Sequence, residues 1–356
     1  MTEKSNLPNA LLQCVPWEKN PNPIWPASSF FLYRNLDRYR FAGQLDETES
    51  LRVLDILKKP LLQLSKLKNP LYFSAESLTA QEKDFLCEHF LSQDGWQNAV
   101  KGQAFILDES CHFLAVLNFR DHLLLQWVDC KNEWEKAWNA LNQIELAIGE
   151  HLDYAFSSQF GYLTSNARLC GTGLLVVCYL HLPSLISSGQ LQELLSSHKE
   201  DSVEATGMQG DLQELVGDFL ILKNRYTLGL TEESILRDLH MTATKLVLSE
   251  QTQRLQYKKT SPPDLKDRIS RAYGLLMHSY QLETKEALSA ISQIKLGIDL
   301  GWVQGMTDDE INEIFFRCRR AHLLQTQEKI SLDKKELAHT RAEYLNQKLR
   351  QTTLSF

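Results

Sequence analysis

Between Gly173 and Pro183 lies the run LLVVCYLHL (174–182), too apolar for a surface position and bounded by residues that end regular structure. It reads as a buried strand, and any fold for this chain has to cover it. The wider stretch 174–186 is the most apolar of the sequence, contains His181 and Pro183, and falls far short of the roughly 20 residues needed to cross a bilayer. A second buried strand is expected at DFLIL (218–222), and CHFLAVLN (111–118) followed closely by HLLLQWV (122–128) predicts an antiparallel hairpin.

Helical periodicity appears around these strands. The clearest case is 133–149, apolar at 134, 137, 138, 141, 144 and 148, with Asn132 and Glu135 as a start signal. Two shorter helices are expected earlier, one presenting Leu51, Leu54 and Leu57, the other Phe85, Leu86 and Phe90, and a short one at 185–195. From Glu232 the chain turns helical, with Ile235, Leu239, Ala243, Leu246 and Val247 on one face. Pro262 and Pro263 mark the best domain boundary, and helices are expected beyond it at 264–278, 283–293, 307–325 and 327–350. The last has so little apolar surface that it should lie on the outside or against a partner. The proline-rich segment 16–26 reads as an extended packed arm, and the polar run 196–211 as a mobile loop.

Composition excludes several function classes. With 356 residues the chain has room for about two domains. Its 38 Lys+Arg against 45 Asp+Glu give a net charge of −7, which argues against a protein built to grip nucleic acid or anionic membrane but leaves a local basic site open. The placement of its 16 arginines therefore matters more than their number. Seven scattered cysteines (14, 87, 111, 130, 170, 178, 318) without a C-x-x-C pair fit neither a disulfide framework nor a zinc site, and residues 1–20 do not read as a signal peptide, so the expected compartment is the cytoplasm. No phosphate-loop motif and no metal-ligand spacing occur; Gly171-Thr172-Gly173 reads as a tight turn, His122 and His181 as core or edge residues, and Arg317-Cys318-Arg319-Arg320 as a solvated helix face.

Five segments in order, LDYAFSSQFGYLTS (152–165), GTGLLVVCYLHLPSL (171–185), TLGLTEESILRDLH (227–240), RAYGLL (271–276) and ETKEALSAISQIKLGIDLGW (283–302), together resemble the bacterial protein-arginine kinases of McsB type, in the phosphagen (guanido) kinase family. The resemblance implies an α+β fold, an antiparallel sheet flanked by helices, in a guanido-kinase-like catalytic domain over 1–260. It further implies an all-helical dimerisation and interaction domain over 261–356.

In that family arginines hold the ATP phosphates, because forked guanidinium groups pair bidentately with phosphate oxygens, and a glutamate pair handles the guanidinium acceptor. Position by position, this sequence departs from the pattern. The first two phosphate arginines correspond to Ser29 and Phe31, the third to Leu124, the fourth to Leu175 and the fifth to Thr206, with Glu204 and Ala205 as alternatives. The acceptor glutamates correspond to Phe119 and Arg120, within Asn118-Phe119-Arg120-Asp121-His122, and the signature cysteine to Asn166. Asn118, Asp121 and His122 persist as remnants, His89 corresponds to a nucleotide-contacting histidine within one residue, and of a phosphoarginine-reading motif only Arg341 and Ala342 remain.

Five lost charge-assisted contacts amount to on the order of 7–15 kcal/mol of nucleotide and transition-state stabilisation, and the lost base to a further factor of about 10²–10⁴ in rate. The resemblance thus implies a catalytically degenerate pseudokinase with no catalytic residues, no metal and no cofactor. It would work as a binding or adaptor protein, as a homodimer or heterodimer, with protein partners that could include Clp-protease components. The alternative is an active protein-arginine kinase using ATP and Mg, in which Arg34, Arg120 and Arg168 have taken over the phosphates and Asp121 is the base.

Overall fold

A computed structural model describes residues 6–14, 21–92, 95–197, 201–326 and 332–356. Its centre is a sheet of eight strands in the order β2-β3-β4-β5-β1-β8-β10-β9, every neighbouring pair antiparallel. In chain order the strands are β1 (Ala27–Arg34), β2 (Leu71–Ser74), β3 (Ala104–Leu107), β4 (Phe113–Leu117), β5 (Leu123–Asp129), then the small β6–β7 ribbon (Phe156–Ser157, Gly161–Tyr162), β8 (Leu174–His181), β9 (Val203–Gly207) and β10 (Phe219–Asn224). A separate two-stranded ribbon joins β11 (Val303–Gln304) to β12 (Thr353–Leu354). The expected hairpin is present as β4–β5, and the apolar run 174–182 is β8, beside β1 in the middle of the sheet.

The helices are α1 (Asn9–Gln13), α2 (Glu47–Gln63), α3 (Ala80–His89), α4 (Trp134–Gly149), α5 (Pro183–Ser187), α6 (Leu191–Ser197), α7 (Glu232–Thr260), α8 (Pro263–His278), α9 (Thr284–Leu300), α10 (Asp308–Arg317), α11 (Arg320–Thr326) and α12 (Lys334–Leu349). One sheet face, with Phe30, Leu32, Leu125, Val176 and Leu222, packs against the apolar stripes of α2, α4 and α7. The other, with Phe31, Tyr33, Leu124, Val177 and Ile221, shares a core with α3 and the C-terminal helices. Both faces are covered, which is why β1 is buried along its whole length and why β8 carries no polar alternation.

Several expectations need correction. The run 196–211 contains an edge strand, β9: Val203 and Ala205 turn to one face and Glu204 and Thr206 to the other, an alternation only five residues long, and among the described residues no strand pairs with its outer edge; residues 198–200 lie outside the described ones. Helix α4 starts after Glu133 without a side-chain cap, and Asn132 sits instead in a left-handed turn. The expected helix 307–325 is two helices, because Glu88 of α3 reaches in and accepts from the backbone N–H of Ala321 and His322. The 317–320 cluster is no uniformly solvated face: Arg319 is buried, donates to Glu88 O at 2.8 Å and stacks on Phe316.

The same holds for α12, which buries Ala338, Arg341, Ala342, Leu345 and Leu349. Small alanines let it approach closely, and Arg341, only 1% exposed, donates to Cys318 O and Leu282 O at 2.8 Å each. Arg341 is thus a brace inside the helical region, not a residue on a solvated face. Residues 327–331 of the expected last helix and 16–20 of the proline-rich arm lie outside the described ones; of that arm, Ile24 and Trp25 are buried, and Trp25 Nε1 donates to Ser28 Oγ at 2.9 Å. Among the described residues no disulfide joins the seven cysteines, and no helix is long and apolar enough to cross a membrane.

One buried charge makes a pH prediction. Lys295 on α9 donates to Asn312 Oδ1 at 2.7 Å, and burial, aided by the Arg254 charge, pushes its ammonium down to about 7. In the unfolded chain it stays protonated to about pH 10.4, so the unfolded state binds more protons across that interval. The penalty for burying the charge is full below about pH 7 and is relieved as pH rises, by at most about 1.4 kcal/mol per unit. Urea unfolding of the native chain and Lys295→Met from pH 7 to 9 should show their difference moving in favour of the native chain. A constant difference would show that the amine does not titrate there.

Candidate functional site

The five positions named from the sequence fall on one face of the sheet. Phe31 on β1 lies opposite Leu175 on β8 and Gln126 on β5, and Ser29 lies opposite Val177 and Val128. Tyr33 lies opposite Leu124, while Thr206 on β9 lies opposite Ile221 on β10, which in turn faces Tyr179. Because cross-strand partners share a face and strand side chains alternate, Ser29, Phe31, Leu124, Leu175 and Thr206 form one surface across four strands. None of the five is a cation, and Phe31 is only 4% exposed.

Arg34 follows the same alternation to the opposite result. Being odd by one from Tyr33, it leaves through the other face, where Nε meets Glu145 Oε1 of α4 at 2.7 Å, with both side chains nearly fully buried. Its Nη1 donates to Tyr33 O and Thr172 O at 2.9 Å each, and its guanidinium lies 3.7 Å from the Tyr162 ring centroid. Gly173 permits this approach: it has φ +66, and a Cβ there would stand 2.6 Å from both Arg34 Nη1 and Tyr33 O. The G-x-G is therefore the tight turn its spacing suggested.

The remnants serve as brackets. Asp121 accepts from Asn35 Nδ2 (2.6 Å), Ser165 N (2.6 Å) and Ser165 Oγ (2.8 Å), so both carboxylate oxygens are engaged. His122 Nδ1 accepts from Leu36 N at 3.0 Å, which leaves Nε2–H to donate to Arg40 O at 2.7 Å; burial lowers its pKa and holds it neutral. Asn118, in a left-handed turn, donates to Ser50 O and Gly102 O. His89 is fully buried among Phe85, Phe90 and Phe316, and burial together with the neighbouring His322 keeps its pKa well below the usual range.

Parts of the face remain open. A cleft of about 450 Å³ lies where Tyr179, Ile221 and Thr206 look across to Leu91 and Arg319. Another, of about 210 Å³, is lined by Phe31 and Leu175 and rimmed by Arg120, Arg168, Lys223 and Arg225. Nearby, the face is tied down: Tyr179 Oη donates to Leu91 O at 2.7 Å and Gln126 Nε2 to Phe90 O. Sequence reasoning missed Lys223, Arg225, Tyr179 and Arg319 as lining residues. Lys223 alternates with buried Leu222 and so carried a signal, whereas Arg319 arrives from the bend between α10 and α11, nearly a hundred residues further on, and its place in a basic cluster did not show which way it turns.

These observations can be set beside known proteins. Residues 52–253 match the family described as ATP:guanido phosphotransferase, C-terminal catalytic domain, and residues 262–355 match the protein-arginine kinase McsB C-terminal domain. The chain is 35% identical over 348 residues to a protein-arginine kinase of Chlamydia pneumoniae, covering 96% of this chain and 97% of that protein. It is 30% identical over 346 residues to one of Chlamydia muridarum, covering 95% and 96% respectively. Among solved structures, lombricine kinase superposes with a TM-score of 0.57 at 17% identity, covering 70% of this chain and 72% of that one. The duplicated taurocyamine kinase of Schistosoma mansoni gives 0.58 at 19% identity, covering 70% and 36%. At these identities the two structures speak for the fold alone. Sequence, sheet topology and relatives agree, and the chain belongs to the protein-arginine kinase family of ATP:guanido phosphotransferases.

Proposed function

We propose that this family member is a pseudokinase that works through protein contacts. The observation that carries the reading is the single sheet face on which Ser29, Phe31, Leu124, Leu175 and Thr206 stand together without one cation among them. A triphosphate does not fit that surface: Phe31 and Leu124 are buried apolar residues, and phosphate oxygens placed on them would lose hydration without gaining donors. In this reading the protein is a cytoplasmic adaptor or regulatory subunit, a homodimer or heterodimer, with Clp-protease components among its candidate partners.

The rival reading, an active kinase with relocated cations, draws on Arg120, Arg168, Lys223 and Arg225 around the smaller cleft. Two residues that the alternative drew on from the sequence, Arg34 and Asp121, are already committed elsewhere. Arg34 is held on the opposite face by Glu145, and Asp121, the candidate base, has both oxygens occupied by Asn35 and Ser165. Calorimetric titration with Mg-ATP separates the readings: the pseudokinase gives no saturable heat up to millimolar nucleotide, and tight binding would refute it. The adaptor role is tested apart, by affinity capture of the full chain from cell extract followed by size-exclusion of the recovered complex. Recovery of no stable partner would count against it.

A further inference from the structure

Three of the seven cysteines, Cys14, Cys111 and Cys130, converge on one place although the sequence scatters them. The β4–β5 hairpin accounts for two of them. His112 O accepts from Val128 N at 2.9 Å, so Cys111 and Cys130 stand at the open end of that hairpin, just before β4 and just after β5. Both are buried in the core that this sheet face shares with α3 and the C-terminal helices. Cys14 reaches the same core from the amino-terminal side. It follows α1, whose Leu11 is buried there, and is itself only half-buried.

The backbone is bent to bring one thiol inward. Two residues apart in a strand, Cys111 and Phe113 would share a face, yet Phe113 belongs to the opposite core. Cys111 escapes the alternation by taking φ +58, a left-handed conformation that side chains other than glycine adopt at a cost. The result is that the Cys14 and Cys111 thiols are hydrogen-bonded to each other. Two side chains that already meet satisfy the first geometric requirement of a disulfide, and these come from positions nearly a hundred residues apart.

We propose that Cys14 and Cys111 are a thiol redox site, which a low-molecular-weight disulfide oxidises reversibly to a bond that staples α1 to the start of β4. Roles divide by exposure. The half-buried Cys14 is the thiol such an oxidant can reach, while its hydrogen bond and burial push the Cys111 thiol up and keep it protonated. The Cys14 thiolate attacks one sulfur of the oxidant, whose S–S bond breaks and releases one small thiol. Cys111 then attacks the Cys14 sulfur, the mixed disulfide breaks, and the second small thiol leaves with the Cys111 proton. Two protein thiols are oxidised by two electrons, and one small disulfide is reduced to two thiols. The staple also bears on the helical region, because Gln13 O beside it accepts from Arg317 Nη2 of α10 at 3.1 Å.

The test equilibrates the full chain with oxidised glutathione, blocks the remaining thiols and maps peptides without reduction. The chain should lose two of its seven thiols and yield one linked pair, Cys14 with Cys111, which reduced glutathione reopens. Cys111→Ser should stop at a mixed disulfide of glutathione on Cys14. Cys14→Ser should leave Cys111 reduced, and Cys130→Ser should link as the native chain does. Oxidation should slow hydrogen exchange of the α1 amides by about tenfold or more in the native chain and leave it unchanged in Cys14→Ser. The native chain and the half-buried Cys14→Ser carry the test even where the buried variants fold poorly. No Cys14–Cys111 linkage in excess oxidised glutathione, another pair linked in its place, or linkage found only after unfolding in urea would each overturn the proposal. Each outcome leaves the pseudokinase reading where it stands, since none involves nucleotide.

Discussion

Replacing Arg34 with methionine is expected to lower the free energy of unfolding by about 3–5 kcal/mol, among the largest effects of any single substitution in this chain. Methionine keeps most of the apolar stem, so most of the loss comes from charge. Arg34 and Glu145 are 3% and 5% exposed, and removing the guanidinium leaves a buried carboxylate with no counter-charge. Two further acceptors, Tyr33 O and Thr172 O, lose their donor at the same time. Urea unfolding monitored by tryptophan fluorescence checks this, and the double variant Arg34→Met with Glu145→Met should recover much of the loss, because a well-packed apolar pair replaces an ion pair at little cost. A residue kept for ligand binding would behave differently. Its removal would leave stability within about 0.5 kcal/mol, and that outcome would reopen the case for Arg34 as a relocated phosphate ligand.

Reinstating an arginine at Phe31 is expected to fail twice over. The substitution gives up the burial of an aromatic ring packed beside Leu175 and Gln126, and it adds a guanidinium to a cleft that Arg120, Arg168, Lys223 and Arg225 already line. A loss of roughly 3 kcal/mol or more follows from the two effects together. It should also leave Mg-ATP binding undetectable, since one restored contact recovers only about 1.5–3 kcal/mol of what five once supplied. Thermal unfolding of Phe31→Arg with and without Mg-ATP measures both at once. A variant of unchanged midpoint that is stabilised by nucleotide would mean that the face still has the shape of a phosphate site.

Much of this architecture was legible in the sequence where one physical signal dominated. The heptad-like stripe of α4, the long face of α7 and the unbroken apolar run of β8 each announce burial by period or composition alone. The failures have separate physical causes. Helix α12 enters the core on Ala338, Ala342, Leu345 and Leu349 together with an arginine satisfied by two backbone carbonyls, and the two alanines and the charge among them weaken the apolar stripe that periodicity detects. The edge strand β9 is only five residues long, with Val203 and Ala205 toward one face and Glu204 and Thr206 toward the other, too short an alternation to stand out in a polar run.

The candidate site shows the same division. Alignment of short motifs placed Ser29, Phe31, Leu124, Leu175 and Thr206, and the register then brought all five to one face. What those motifs could not convey was direction. Arg34 is one residue from Tyr33 yet serves the opposite face, and Asp121 looks like a base until its three donors are counted. The basic rim of Arg120, Arg168, Lys223 and Arg225 comes from three separate segments, so no local pattern reveals it.

The central claim, that the family scaffold persists here without phosphoryl transfer, is tested most directly by incubating the purified full chain with Mg and γ-labelled ATP and an arginine-rich test protein, then measuring acid-labile label on arginine. The account predicts none above the level seen without the protein. Time-dependent phosphoarginine that scales with the amount of the protein would contradict it.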